Sequence, residues 1–232
     1  MASFREFGEA FFSLFYPSLC AACAADLRRG EQVLCLRCIL YLPQTDHFQR
    51  IENPVRLLFA GKVGIRSAAA LFYFSKGEKV QQLAHLLKYG GRMDVGEFTG
   101  RMIGEQVVRS SSMQDVQAVV PVPLHLDRLR KRGYNQAACI SAGISEASGI
   151  LHLPDALIRL RASDTQTRKQ RFDRYQNVDG IFQVRDPATV AGKHILLVDD
   201  VITTGSTLIA AVEALREVPK VEVSVVAMAA AR

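Results

Sequence analysis

One string of fifteen residues limits what this chain can fold into: His194-Ile-Leu-Leu-Val-Asp-Asp-Val-Ile-Thr-Thr-Gly-Ser-Thr-Leu208. Ile195 to Val198 is a short apolar run, as in a strand buried on both faces. Asp199 and Asp200 stand at its C-terminal end. Thr203 to Thr207 is a hydroxyl-rich turn with a single glycine, and Leu208 to Glu217 has helical composition and spacing. In an open parallel α/β sheet, ligands bind outside the carboxyl ends of the strands. A turn that feeds a helix N-terminus offers free N–H groups and the positive end of the helix dipole. Gly205 lets the backbone approach an anion closely, and Thr203, Thr204, Ser206 and Thr207 add hydroxyl donors. The turn suits a phosphate. The carboxylates suit a sugar diol or a metal ion beside it. The plainer alternative makes the two acids turn caps and Thr203 or Ser206 an ordinary N-cap. No Lys follows the glycine, so the turn is not a Walker loop, and one glycine is too few for a dinucleotide fingerprint.

A chain of 232 residues can bury one good core and carry a small appendage. The net charge of +6 favours anionic partners: phosphorylated metabolites, nucleic acid or acidic surfaces. No apolar run is long enough for a membrane span. The stretch from Phe4 to Leu19 carries Arg5, Glu6 and Glu9 and is expected to be neither a signal peptide nor an anchor. Phe4, Phe7, Phe11, Phe12 and Phe15 fit one helix face, expected to pack on the main domain. A membrane-surface or partner-binding helix is the alternative. A cytoplasmic location is expected.

Cys20-Ala-Ala-Cys23 and Cys35-Leu-Arg-Cys38 are two Cys-x-x-Cys pairs with eleven residues between them. Each pair can place two thiolates on one tetrahedral ion, and the polar segment between them can fold back to close the site. A structural zinc ion held by Cys20, Cys23, Cys35 and Cys38 is expected. Disulfides and redox-active thiols are the alternatives. Cys139, in a helical stretch, reads as a small buried hydrophobe.

Leu42 to Gly64, with Pro43, Pro54, Gly61 and Gly64, reads as a linker. Residues 1–60 then form an N-terminal helix, zinc module and linker, and residues 61–232 the main domain. Strands are expected over Ser67–Phe74, Val116–Pro123 and Val221–Ala229, in addition to Ile195–Val198; Ala156–Leu160 reads as a short strand or extended piece, and Gly180–Val184 as an edge strand or hairpin arm. Helices are expected over Val80–Tyr89, Val95–Arg109 and the Ala-rich Gln136–Ala147. Pro187–Gly192 reads as a loop. The alternation points to one parallel α/β domain. Lys88 and Arg92 bracket Gly90-Gly91, either as solvated charges or aimed at a ligand. Arg128 to Arg132 lies between a strand end and a helix start, where an anion would bind. A solvated basic face is the alternative. Pro121 and Pro123 predict a fixed bend. Ser163 to Arg174 is polar and basic with no apolar stripe, fitting a lid or a plain surface loop.

The string around Asp199 resembles the phosphoribosyl-diphosphate (PRPP) motif of type I phosphoribosyltransferases. Val120-Pro-Val-Pro-Leu-His125 with Arg128 and Arg132-Gly-Tyr-Asn-Gln136 looks like the pyrophosphate loop of the ComF/GntX-like members. Thr165, Arg168, Gln170, Arg174 and Asn177 lie where that family has its flexible loop. The cysteine pairs and Leu87-Lys-Tyr89-Gly are similar to ComF as well. The resemblance implies a twisted, mainly parallel sheet with helices on both faces, plus a small N-terminal zinc module. It implies that Thr203, Thr204, Gly205, Ser206 and Thr207 hold the 5′-phosphate of PRPP. Asp199 and Asp200 would hold the ribose diol and orient Mg²⁺, one directly and the other through water, because successive side chains on a strand point to opposite faces. Pro121, Val122, Pro123, Arg128, Arg132 and Gly133 would form the pyrophosphate loop, and Arg168, Gln170 or Arg174 would close over the site. The acceptor is not named by the sequence, and the zinc module is the candidate hood that would choose it.

Three functions compete. The first is an active phosphoribosyltransferase. The second is a non-catalytic module that binds PRPP or a nucleotide and acts in DNA uptake beside competence-machinery proteins. In it, Arg28, Arg29, Arg128, Arg130, Lys131 and Arg132 track single-stranded DNA, although aromatics interleaved with them are sparse, chiefly Tyr134. The third is an adaptor whose zinc module docks a partner protein.

Overall fold

The computed structural model describes residues 18–160 and 180–231. The predicted helix face from Phe4 to Phe15 and the predicted flexible-loop residues Arg168, Gln170 and Arg174 lie outside the described residues. Two short helices come first, α1 (Leu36–Tyr41) and α2 (Pro54–Leu57). Then follow β1 (Ala68–Phe74), α3 (Lys79–Tyr89), α4 (Met93–Arg109) and β2 (Ala118–Pro121). Next are α5 (Leu126–Arg132), α6 (Gln136–Ser148), β3 (Leu151–His152) and β4 (Leu157–Arg159). The chain closes with β5 (Phe182–Val184), α7 (Pro187–Val190), β6 (His194–Ile202), α8 (Ser206–Arg216) and β7 (Glu222–Ala231).

Five strands form one sheet in the order β1-β7-β6-β2-β3, and every pairing in it is parallel. A parallel sheet needs a crossover between strands, and the crossovers cover both faces. The alternation along β6 displays this directly. Leu196 and Val198 pack with α3, α4 and α6 through Leu83, Ile103 and Ile140. Ile195 and Leu197 pack on the opposite side with Leu208, Val212 and Leu215 of α8 and with the antiparallel pair β4–β5 through Leu157 and Phe182. From β2 the chain moves outward to β3, whereas from β6 it moves the other way to β7. Neighbouring strands whose onward connections part in this way leave a crevice between their carboxyl ends.

Helices α4 and α6 come unusually close. A Cβ added to Gly100 would lie 2.1 Å from the Ile140 carbonyl oxygen, and one added to Gly143 would lie 2.1 Å from that of Glu97. The small residues of α6, read from the sequence as suiting a sheet, serve this helix–helix contact as well. The first half of the stretch 42–64 is laced to β1. Thr45 N–H donates to Leu71 O at 3.0 Å, Tyr73 N–H to Pro43 O at 2.8 Å, and Asn53 Nδ2 to Ala68 O at 2.8 Å. Leu34, Cys38, Leu42 and Phe48 share one apolar cluster with Phe72, Leu83 and Leu87.

Four segments differ from the sequence reading: α2 lies inside the stretch read as a linker, β3 is a strand where none is expected, and the other two are helices. The basic cluster forms α5, capped by His125 and ended by Gly133 at φ +80°, and it buries none of its residues, which is why no apolar period marked it. Pro187–Val190 is a single helical turn, started by Asp186 accepting from Ala188 N–H at 3.0 Å. At the amino end of the sheet, buried His194 bridges Asp115 at 3.0 Å and the Ser224 hydroxyl at 2.9 Å. The spacing is that of a hydrolase relay, but Ser224 is fully buried, so the group clasps β6 to its surroundings and offers no nucleophile.

Gly100→Ala is expected to lower stability by about 1–3 kcal/mol through overpacking. For a chain of this size that is a fall in Tm of roughly 2–12 °C. A melt unchanged by the substitution, followed by circular dichroism, contradicts the close helix contact.

Candidate functional site

Two adjoining cavities open at the crevice between β2 and β6. The smaller, about 40 Å³, is bounded by Asp199 and by the chain from Val201 to Leu208. Gly205 holds φ +74°, a conformation that favours glycine, and serves as the N-cap of α8. The N-cap, a glycine, has no side chain to cap this helix, and Ser206 N–H reaches only the Thr204 hydroxyl, at a long 3.5 Å, so the helix start keeps capacity for a ligand. Thr203, Thr204 and Ser206 stand exposed around them, and the Thr204 and Ser206 hydroxyls lie 3.1 Å apart.

The larger cavity, about 170 Å³, is walled by Asp199 and Asp200 from β6 and by Val122 and Pro123 beyond β2. Arg128 and Arg132 of α5, Lys88 at the end of α3 and Arg159 of β4 complete its charged lining. Four cations therefore face two carboxylates. Lys88 Nζ sits 3.0 Å from Asp200 Oδ2, a pair in which the acid is only 13% exposed. The acids anchor to their own strand, Asp200 N–H donating to Asp199 Oδ1 at 2.8 Å and Val201 N–H to Asp200 Oδ1 at 2.7 Å. Burial, and then the charge of Asp200, push the Asp199 carboxyl up to about 7, against the Asp200 N–H and the charges of Lys88 and Arg159. Burial and the neighbouring Arg128 lower Arg159, against the pull of Asp199.

The Arg132-Gly-Tyr-Asn-Gln136 stretch builds the frame. Arg132 Nη1 donates to Gln136 Oε1 at 2.8 Å, Tyr134 Oη to Leu87 O at 2.5 Å, and Asn135 Nδ2 to Val122 O at 3.0 Å. Asn135 Oδ1 also accepts from Ala137 N–H at 3.1 Å and so caps α6. Of the predicted pyrophosphate-loop residues, Val122, Pro123, Arg128 and Arg132 line the cavity, whereas Pro121 is buried in β2 and Gly133 ends α5. Thr203 to Ser206 line the smaller cavity and Thr207 lines both. Sequence reasoning left Lys88 open and missed Arg159, whose only signal was its place in a short extended piece. Arg92, its bracketing partner, is held by Asp94 at 2.7 Å. The expected zinc-module hood is not found here: no described residue of 20–38 lines either cavity, and α3 and β4 supply the walls.

The four cysteines gather near the first residue of α3, the end opposite Lys88. Their Sγ atoms all lie within 4.8 Å of one another, and those of Cys23 and Cys35 are 3.7 Å apart. Cys20, Cys35 and Cys38 are buried, whereas Cys23 is exposed. Burial opposes a thiolate at Cys20, but the N–H groups of Cys35, Ala22 and Cys23 outweigh it and bring that thiol to about 7. Lys79 Nζ donates to Cys38 Sγ at 3.7 Å. Such a donor set fits a tetrahedral metal ion with every position filled by sulfur. Cys139 is buried in α6 as expected, and burial pushes its thiol up to about 11. Among the described residues, no helix is long and apolar enough to cross a membrane.

The family described as the phosphoribosyl transferase domain matches residues 114–232, half of the chain, including both strands that frame the crevice. The chain belongs to that family. It is also similar to ComF-type proteins. It is 32% identical over 129 residues to the DNA utilization protein YhgH of Salmonella typhimurium, covering 54% of this chain and 56% of that protein. It is 35% identical over 124 residues to competence protein F of Haemophilus influenzae, covering 53% and 54%. Competence protein ComFC of Bacillus subtilis is 36% identical over 90 residues, 39% of this chain and 34% of that one. The chain thus spans about half the length of the first two relatives. A solved glutamine PRPP amidotransferase from B. subtilis, complexed with ADP and GMP, matches with TM-score 0.42 and 24% identity, over 61% of this chain and 30% of that one. The described sheet, with helices on both faces, is the type I phosphoribosyltransferase fold expected from the sequence.

The raised Asp199 has a consequence for stability. The folded protein keeps its proton up to about pH 7, whereas the unfolded chain releases it near the ordinary carboxylate range. The folded state therefore binds more protons between those limits, and stability falls as pH rises through that window. Asp199→Asn is expected to melt above wild type at pH 8 and to match it near pH 4. A gap of equal size at both pH values contradicts the raised carboxyl.

Proposed function

We propose that the protein binds PRPP with Mg²⁺ across the two cavities and transfers the phosphoribosyl group to an acceptor, releasing pyrophosphate. The observation that carries this reading is the joining, in one crevice, of a hydroxyl-rich helix start with a glycine N-cap, a pair of carboxylates and a ring of cations. The N–H groups of Gly205 to Thr207 and the hydroxyls of Thr203, Thr204, Ser206 and Thr207 take the 5′-phosphate. Asp199 and Asp200 accept hydrogen bonds from the ribose diol. Arg128 and Arg132, helped by Lys88 and Arg159, offset the charge that collects on the leaving pyrophosphate. Val122, Pro123, Pro121 and Gly133 shape the loop that carries them. Cleavage at C1′ through an oxocarbenium-like state asks the protein mainly to position groups and stabilise charge. Arg168, Gln170 and Arg174 are assigned to closing the site against water. Asp199 and Asp200 are the residues that would hold Mg²⁺, since hard oxygen donors from one or two carboxylates are what that ion takes beside phosphates. Bound there, it supplies charge neutralisation to the pyrophosphate.

For the cysteine cluster we propose zinc. A tetrahedral ion with bonds of about 2.3 Å needs sulfurs about 3.8 Å apart, and Cys23 and Cys35 stand at 3.7 Å. The site is closed and structural, and it belongs to an N-terminal module of residues 1–60 ahead of the phosphoribosyltransferase-like domain of 61–232. Thiolates of this kind persist where thiols stay reduced, as in the cytoplasm.

A second reading is favoured by the names of the relatives, which speak of competence and DNA utilization. In it the protein binds PRPP or a nucleotide without turnover and handles single-stranded DNA with competence-machinery proteins.

Calorimetric titration of PRPP and Mg²⁺ is expected to give binding to wild type and none to Asp199→Asn/Asp200→Asn. Wild type that binds no PRPP overturns the reading. Pyrophosphate release that needs both acids supports transfer over binding alone. Metal analysis of reduced protein purified without chelators is expected to find about one zinc per chain, and its absence removes the zinc assignment.

A further inference from the structure

A third cavity, of about 580 Å³, adjoins the carboxylate cavity and shares Lys88, Arg128 and Arg132 with it. Its other walls are Tyr89, Gly91, Lys131 and Tyr134. Two features separate it from its neighbour. Among the described residues its lining has four cations and no carboxylate, so it favours anions. It also carries two phenol rings, held in different ways. Tyr134 is fixed by its hydrogen bond to Leu87 O. Tyr89, the last residue of α3, is 68% exposed, too open to be a core residue. Gly90 and Gly91 follow it, and a Cβ added at Gly91 would meet nothing within 4 Å, so the approach past it is clear. The Arg132 guanidinium lies over the Tyr89 ring, 5.4 Å from its centre, and the His85 ring stands 5.1 Å away, tilted by 49°, so the exposed remainder of the tyrosine and the outer side of the guanidinium form the flat surface open to a guest. Among the described residues no carboxylate pairs with Arg128 or Lys131.

We infer that this cleft binds a nucleotide, its base stacked on Tyr89 beside Arg132 and its phosphate held by Arg128 and Lys131. The volume suits a ligand of that size. An exposed aromatic next to unpaired cations is the combination by which proteins hold bases without reading their identity, the ring meeting the base and the cations the backbone. Aromatics interleaved with the basic cluster are sparse in the sequence, chiefly Tyr134, whose hydroxyl is tied to Leu87 O. The fold supplies another from α3, far upstream, so stacking becomes available where the order of residues hid it. The inference rests on the nucleotide- and single-strand-binding reading above and gives it a site, and it does not depend on PRPP in the adjoining cavity. Bound here, a base lies beside that cavity, with only Lys88, Arg128 and Arg132 between.

The test uses full-length protein and three probes: a fluorescein-labelled oligothymidylate of about eight residues, the same strand without bases, and AMP. Anisotropy follows the strands, and calorimetry follows AMP. Tyr89→Ala is expected to weaken binding of the base-bearing strand or of AMP about tenfold or more, a loss within the range for removal of one stacking ring. Tyr89→Phe keeps it, and the abasic strand is indifferent to either change. Lys131→Gln weakens both strands and flattens the salt dependence by about 0.7 in log–log slope. Tighter binding of the strand than of AMP assigns the cleft to single-stranded nucleic acid, and comparable binding assigns it to free nucleotides. Both outcomes support the inference. Wild type that binds neither probe, an abasic strand that binds as well as the base-bearing one, or Tyr89→Ala that binds like wild type overturns it. PRPP titration into Tyr89→Ala separates the two sites: retained PRPP binding with lost nucleotide binding locates the effect in this cleft.

Discussion

The crevice at the carboxyl ends of β2 and β6 follows from chain connectivity. Parallel strands cannot be joined by short turns, so each crossover must lie over a face of the sheet. The connection after β2 goes to β3 and the one after β6 to β7, on opposite sides. Nothing in the two connections can close the space between the strand ends. The site therefore does not need a loop of special shape to create a hollow. It needs only side chains of the right chemistry at positions that already border one.

Those side chains create an electrostatic tension. Asp199 and Asp200 are adjacent and partly buried, where two negative charges repel each other and lose water. Lys88 offsets one of them from α3, and Arg159 approaches from β4 on the other face. The surplus positive charge is held by α5, which buries no side chain and can orient its arginines toward a guest without disturbing the core. The site is thus less satisfied alone than with an anion present, as expected of a surface built for a ligand.

Much of this was legible in the residues themselves. The string from His194 to Leu208 announced a strand, a turn and a helix in contiguous letters, and each lies where its pattern placed it, with β6 running on through Ile202. The cysteine pairs declared their cluster by spacing. Lys88, Arg159 and Tyr89 could not be read the same way. Each reaches its cavity through tertiary packing, from a helix end or a short strand whose local pattern speaks only of its own burial. The same limit hid α5, because a helix with no buried face has no apolar period. It also hid the pairing of Asp115, His194 and Ser224, which joins residues distant in sequence across three segments.

The contact between α4 and α6 acts at a distance from where it is made. Gly100 and Gly143 let two backbones touch, which sets the spacing between α4 and α6 on their shared face of the sheet. The first cap of α6 is Asn135, and its amide also grips the carbonyl of Val122 in the cavity wall. The thickness of two missing methyl groups is thereby passed along a rigid rod to the rim of the crevice. In this molecule the glycines behave as a spacer gauge, and the opening they calibrate is the mouth of the site.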